Sequence, residues 1–135
     1  MAEANSEETV EVFFYGSLKR GRELYFLEPL MELRLEVQPA RIQGALLYDL
    51  GPYPGMVLRP DGGTVTGEVH RFRLPKETLA VLDEIEAYWG EGDPDNLYRR
   101  VRGNAEVAGG RLIPCWLYEY VGPMEHARLL ENGIW

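Results

Sequence analysis

This chain is short of the residues on which several common chemistries depend. It has one cysteine, Cys115, so no disulfide can form within it, and a reducing compartment, the cytoplasm, is the expected location. Its two histidines, His70 and His126, lie far apart with no further cysteine or histidine at ligand spacing, which argues against a metal site. Basic residues are scarce: fourteen lysines and arginines stand against twenty-two acidic residues, and the net charge of −8 repels nucleic-acid phosphates and anionic lipid. No apolar run approaches the roughly 18 residues of a membrane span. The opening MAEANSEETVE is acidic and polar where a secretory leader is basic and then apolar. Nucleic acid and membrane are therefore not expected partners, and a small molecule is.

At 135 residues the chain has the length of one domain, with residues 1–9 as a disordered or extended lead-in and 10–135 as the folded unit. Glycine and proline clusters punctuate it densely, at Gly51-Pro52, Tyr53-Pro54-Gly55, Pro60 to Gly63, Gly92 to Asn96, Gly109-Gly110 and Gly122-Pro123. Between them, Val10–Tyr15, Ala40–Asp49, Thr64–Leu74, Tyr98–Val107 and Arg111–Val121 have the length and the β-branched or aromatic content of strands. Glu23–Leu33 and Lys76–Trp89 read as helices, the first bent or broken near Pro29. The class is α+β with strands dominating, spaced as in a small mixed barrel.

Two segments carry chemistry. The apolar run Val12-Phe13-Phe14-Tyr15 stops at Gly16, and Gly16-Ser17-Leu18 then reads as an anion cradle. Glycine permits close backbone approach, Ser17 can cap the next turn, and successive N–H groups can face a ligand. An ordinary strand-to-helix turn with a core tyrosine is the alternative. On the second helix, with Leu82 at the centre of the apolar face, Thr78, Leu79, Ile85 and Trp89 fall within about 60° of it, and so does Glu86. Glu84 points the other way and Asp83 to one side. An inward carboxylate is either paired or functional, because burying it ionised without partners costs several kcal/mol. Arg99, Arg100 and Arg102 follow closely enough to pair with it.

Six blocks in order resemble the γ-glutamyl cyclotransferase-like family, which includes γ-glutamylamine cyclotransferases and AIG2-like proteins. They are YGSLKRG (15–21), GALLYDLGPYPG (44–55), VTGEVHRF (65–72), LDEIEAY (82–88), LYRRV (97–101) and CWLYEYVG (115–122). The resemblance implies a five-to-six-stranded mixed β-barrel with flanking helices, opening on a small polar cavity. It implies that Tyr15, Gly16, Ser17 and Leu18 hold a γ-glutamyl group, that Glu86 is the general acid/base, and that Tyr98 and Arg100 also contact substrate. The implied reaction is attack of the substrate's α-amine on its own side-chain carbonyl, releasing 5-oxoproline and an amine or amino acid without water, metal or cofactor. A non-catalytic binding module for a γ-glutamyl or other small carboxylate metabolite is the competing reading, and monomer and homodimer are both open.

The chain departs from the family pattern at Ala87, where glycine usually follows the glutamate. The acidic, glycine-rich stretch Trp89–Asn96 reads either as a flexible rim that favours amine leaving groups or as a plain surface loop. Cys115 reads as a core thiol, and Asp49 and Asp61 as turn residues. The final Ile134-Trp135 reads as a core cap, a cavity closure or a dimer contact.

Overall fold

The computed structural model describes residues 8–135. Residues 1–7 of the expected lead-in lie outside the described residues, and Thr9 already belongs to a strand. In chain order the strands are β1 (Thr9–Phe14), β2 (Arg34–Asp49), β3 (Pro54–Leu58), β4 (Gly63–Arg73), β5 (Tyr98–Glu106), β6 (Leu112–Tyr120) and β7 (Arg128–Leu129). Two helices, α1 (Glu28–Leu33) and α2 (Pro75–Ile85), flank them.

β1 is the centre of the sheet. It pairs antiparallel with β4, from Thr9 opposite Arg73 to Phe14 opposite Glu68, and parallel with β6, where Val12 faces Trp116. Its consecutive residues Val12, Phe13 and Phe14 point to alternate faces and are all buried, so both faces of the strand are covered, which is why it reads as a continuous apolar run rather than an alternation. The order β2-β4-β1-β6-β5 then returns to β2, where Arg41 meets Glu106 both in register and through an Nε–Oε1 ion pair of 3.0 Å. Five strands thus close a mixed barrel, with β3 and β7 added at the edges of β2.

Closure depends on the length of β2. Residues 34–45 pair with β4 and 45–49 with β3; one register shift, between Arg34 and Glu36, lies at its start, and a second, between Gln43 and Ala45, bends it where it passes from one partner to the other. Gly44 sits at the second bend with φ +75°. Phe13, Phe72, Leu47, Met56, Leu82 and Leu117 fill the interior.

The elements differ from the sequence-based expectation at several ends. β2 starts at Arg34 rather than Ala40, and β3 and β7 carried no recognised strand signal. The first helical stretch divides at Leu27, which is extended (ψ 129°), into a 3₁₀ turn over Glu23–Phe26 and α1. Pro29 does not break α1. It occupies the first turn, where the missing N–H leaves no bond unmade. α2 stops at Ile85, not Trp89.

β4 and β1 approach closely at Gly67, where a methyl group would meet the carbonyl oxygen of Phe14. Gly67→Ala should therefore push β4 off β1 and lower stability by about 3 kcal/mol or more, read as a fall in the urea midpoint.

Candidate active site

A cavity of about 130 Å³ opens where β1 leaves the barrel. At roughly 30 Å³ of liquid volume per water it holds about four waters' worth of ligand. Its walls are the segment Phe13–Leu18, Leu24 of the 3₁₀ turn, Tyr53 and Pro54 before and in β3, Ile85 and Glu86 at the end of α2, Leu97 and Tyr98 entering β5, and Tyr118 of β6. Glu86 is the only ionisable carboxyl or base among them. Of the residues singled out from sequence, Tyr15, Gly16, Ser17, Leu18, Glu86 and Tyr98 thus share one cavity.

Glu86 is placed by the way α2 ends. It is the C-cap residue (φ −87°, ψ 4°), and the N–H groups of Ala87 and Tyr88 turn back to the carbonyls of Glu84 and Asp83 at 3.2 and 2.9 Å. These are the two bonds of a Schellman termination, which needs a left-handed residue next to the cap. Ala87 supplies it with φ +52°. The motif explains why glycine is expected there, and alanine takes the same conformation at a steric cost. Trp89, expected on the inward face, lies beyond the termination and is 55% exposed.

None of the three nearby arginines pairs with Glu86. Arg99 bonds Glu119 at 3.1 Å, Arg100 lies 3.4 Å from Asp83, and Arg102 stacks on Trp116. No hydrogen bond from another described residue meets the carboxyl, and burial pushes its pKa from the ordinary 4.5 up to about 8. The tyrosines around it are committed elsewhere. The Tyr15 hydroxyl donates to the Tyr118 carbonyl at 2.6 Å and accepts the Met56 N–H at 3.2 Å, and the Tyr98 hydroxyl donates to the Pro54 carbonyl at 2.6 Å. Both phenols are held well above their usual pKa, first by burial and further by neighbours that include Glu86.

The loop after β1 has the predicted openness but not the predicted cap. A Cβ on Gly16 would stand 2.8 Å from Pro54 Cγ, so glycine is required by close approach. Gly16 O accepts the Lys19 N–H at 3.0 Å and Ser17 O the Leu24 N–H at 3.0 Å. The N–H groups of Gly16, Ser17 and Leu18 meet no acceptor among the described residues. The Ser17 hydroxyl caps no helix, because the 3₁₀ turn starts after Arg22 and has no side-chain cap.

Arg100 does not line this cavity: its guanidinium lies beside Asp83 and over the Trp116 ring at 4.7 Å. It touches the site only through a chain, since Asp83 accepts the Tyr118 hydroxyl at 2.7 Å and Tyr118 is a cavity wall. Nor does Trp89–Asn96 overhang the cavity. Asn96 fastens it into a closed loop by accepting the Trp89 N–H at 2.7 Å and donating to the Gly90 carbonyl at 2.8 Å. Trp135 packs against the core while Ile134 is 46% exposed, and neither lines the cavity. Cys115 is buried and its thiol is pushed up to about 11 by burial. Pro54, Leu97 and Tyr118 received no role from sequence, although each lies in or beside one of the six blocks.

A closed mixed barrel with one partly buried carboxyl that no described residue pairs, in a cavity also lined by Gly16, Ser17 and Leu18, whose N–H groups meet no acceptor among the described residues, defines a pocket suited to a small polar molecule and to proton transfer. Residues 12–135 match the family described as Gamma-glutamyl cyclotransferase, AIG2-like. The chain is 33% identical over 128 residues to the gamma-glutamylcyclotransferase family protein YtfP of Escherichia coli, covering 93% of this chain and 96% of that one. It is 33% identical over 109 residues to the gamma-L-glutamyl-butirosin B gamma-glutamyl cyclotransferase of Niallia circulans, covering 81% of this chain but only 65% of that longer protein. Its fold matches a crystal structure of an AIG2-like protein from Mus musculus with a TM-score of 0.67 at 23% identity, over 91% of this chain and 86% of that one. The chain belongs to the γ-glutamyl cyclotransferase, AIG2-like family.

Two outcomes are expected from this geometry. Ala87→Gly should remove left-handed strain and raise stability by about 0.5–1 kcal/mol, seen as a higher melting temperature. Because Glu86 has a raised pKa in the folded state, the fold binds its proton more tightly than the unfolded chain does, and stability falls as pH climbs from about 4.5 through about 8. Glu86→Gln should therefore melt higher than the parent at pH 8 by on the order of 2 kcal/mol, with the difference closing near pH 4.5.

Proposed function

We propose that this protein is a γ-glutamyl cyclotransferase that cleaves a γ-glutamyl amide to 5-oxoproline and a free amine or amino acid, with Glu86 as general acid/base. The observation that carries this reading is the desolvated Glu86 carboxyl, unpaired and in the same cavity as the N–H groups of Gly16, Ser17 and Leu18. A group that only stabilised the fold would be paired.

Each part has a task in the reaction. The cavity holds the γ-glutamyl chain folded, so that its α-amine meets its own γ-carbonyl. Such preorganisation can supply about 7–11 kcal/mol of effective concentration. Ionised Glu86 takes a proton from the α-amine as the new C–N bond closes the lactam, and returns one to the departing amine as the old C–N bond breaks. No net proton or water is consumed. The carbonyl oxygen gains negative charge between these steps, and the uncommitted N–H groups after Tyr15 are suited to receive it. Tyr15 and Tyr98, locked to backbone carbonyls, act as walls. A carboxyl with pKa near 8 is well matched to a proton that must be both taken and given near neutrality.

The test is a panel of γ-glutamyl amino acids and γ-glutamylamines, with 5-oxoproline as the readout. Glu86→Gln should lose at least ~10²-fold in kcat/KM. Below about pH 8 the parent's activity should rise with pH as Glu86 ionises, then level off. Substantial turnover in Glu86→Gln would end this mechanism, and 5-oxoproline binding without turnover of any panel member would favour a binding module.

A further inference from the structure

One buried polar cluster lies outside the cavity and takes no part in the chemistry above. His70 of β4 is fully enclosed, opposite Val12 of β1. Arg34 Nε, which can only donate, bonds its Nδ1 at 3.0 Å. The other ring nitrogen, Nε2, therefore carries the hydrogen and donates it to Glu68 Oε1 at 2.9 Å. Burial holds the ring down at about pKa 4, so it is a neutral link.

The same Glu68 oxygen accepts the backbone N–H of Arg20 at 2.7 Å. Arg20 lies two residues beyond Leu18, in the loop whose Gly16, Ser17 and Leu18 N–H groups face no internal acceptor. One carboxylate oxygen thus joins the barrel wall to that loop. The loop has few holds of its own: among residues 16–22 only Leu18 is buried, and its main-chain bonds are the turns from Lys19 to Gly16 and from Arg22 to Lys19 and the links to the 3₁₀ turn from Leu24 to Ser17 and from Tyr25 to Arg22. A second tether reaches it from the other direction, where Lys19 Nζ and Arg22 Nη2 donate to the Trp135 carbonyl at 3.4 and 2.9 Å.

We propose that Glu68 is a positioning residue: oriented by His70 and Arg34, it fastens the loop after β1 through the Arg20 N–H, so that the free N–H groups of Gly16–Leu18 are held ready for the substrate carbonyl. The last clause rests on the functional reading above. The fastening itself does not. Glu68 acts without touching substrate, since it is not a wall of the cavity. This gives VTGEVHRF a purpose: it carries both the carboxylate and the histidine that orients it.

The experiment compares the full-length parent with Glu68→Ala, Glu68→Gln, Arg20→Pro and Arg20→Ala, by ¹⁵N relaxation of the backbone amides and by thermal melting. Glu68→Ala should bring the order parameters of Ser17–Arg22 from about 0.85 to below about 0.6 while Phe13 and Val69 stay rigid. Glu68→Gln keeps an oxygen acceptor and should keep the loop ordered. Arg20→Pro removes the loop's donor together with the Arg20 side chain and should loosen the loop with the barrel intact, while Arg20→Ala, which keeps the N–H, should leave it ordered. Where the parent turns over a γ-glutamyl amide, Glu68→Ala should lower kcat about tenfold with KM little changed, and Glu68→Gln should recover most of it. An ordered loop in Arg20→Pro or Glu68→Ala, or equal disorder in Glu68→Gln, overturns the proposal. If the parent turns over no γ-glutamyl amide, the functional reading fails, and the relaxation data still decide whether Glu68 fastens the loop.

Discussion

Removing a carboxyl from water without supplying a cation costs several kcal/mol, and such a group survives only where the surrounding fold forces it. Glu86 is in that position, and much of the structure around it follows from keeping it so. The arginines that could neutralise it are engaged at Glu119, Asp83 and Trp116. The hydroxyls of Tyr15 and Tyr98 donate to main-chain carbonyls and that of Tyr118 to Asp83. Its location at the end of α2 acts in the same direction, because the carbonyl end of a helix carries partial negative charge and disfavours an anion.

The backbone arrangement is equally constrained. β1 is paired on both sides and must leave the barrel abruptly, and only glycine fits beside Pro54 at that exit. α2 must stop just before its last inward residue swings away, and it does so through two reversed hydrogen bonds and a left-handed alanine. These two chain reversals, distant in sequence, border one space of ligand size. Tyr15 and Tyr98 brace the strands around that space, their hydroxyls connecting the exit of β1 to β6 and β5 to β3.

Much of this was legible in the residues. The uninterrupted apolar run of β1 marks a strand buried on both sides, and the helical phase of Glu86 places a lone acid on the inward face. The ends of elements were less legible. Alanine carries no signal for a left-handed termination, so α2 read on to Trp89 and put an exposed indole on the inner face. Pro29 read as a breaker because proline opens a helix as readily as it ends one. Arg100 sits in the right block, two residues from Tyr98, and the strand period they share carries no sign that its side chain runs to Trp116 and Asp83 instead of the cavity. β3 and β7 are short and exist only as additions to β2, so their pairing is a property of the partner rather than of their own sequence.

The loop fastened by Asn96 has one more consequence. Its two ends already meet, since the Leu97 N–H donates to the Ala87 carbonyl at 3.1 Å and Asn96 spans from Trp89 to Gly90 just inside that junction. Its tip at Asp93–Asp95 is therefore mechanically uncoupled from the barrel. Added residues there meet only the slow entropic cost of a larger ring, about 0.6 kcal/mol per doubling of length. In modular terms it is a socket: extra sequence can be grafted a few residues beyond the end of α2 without asking the helix to move.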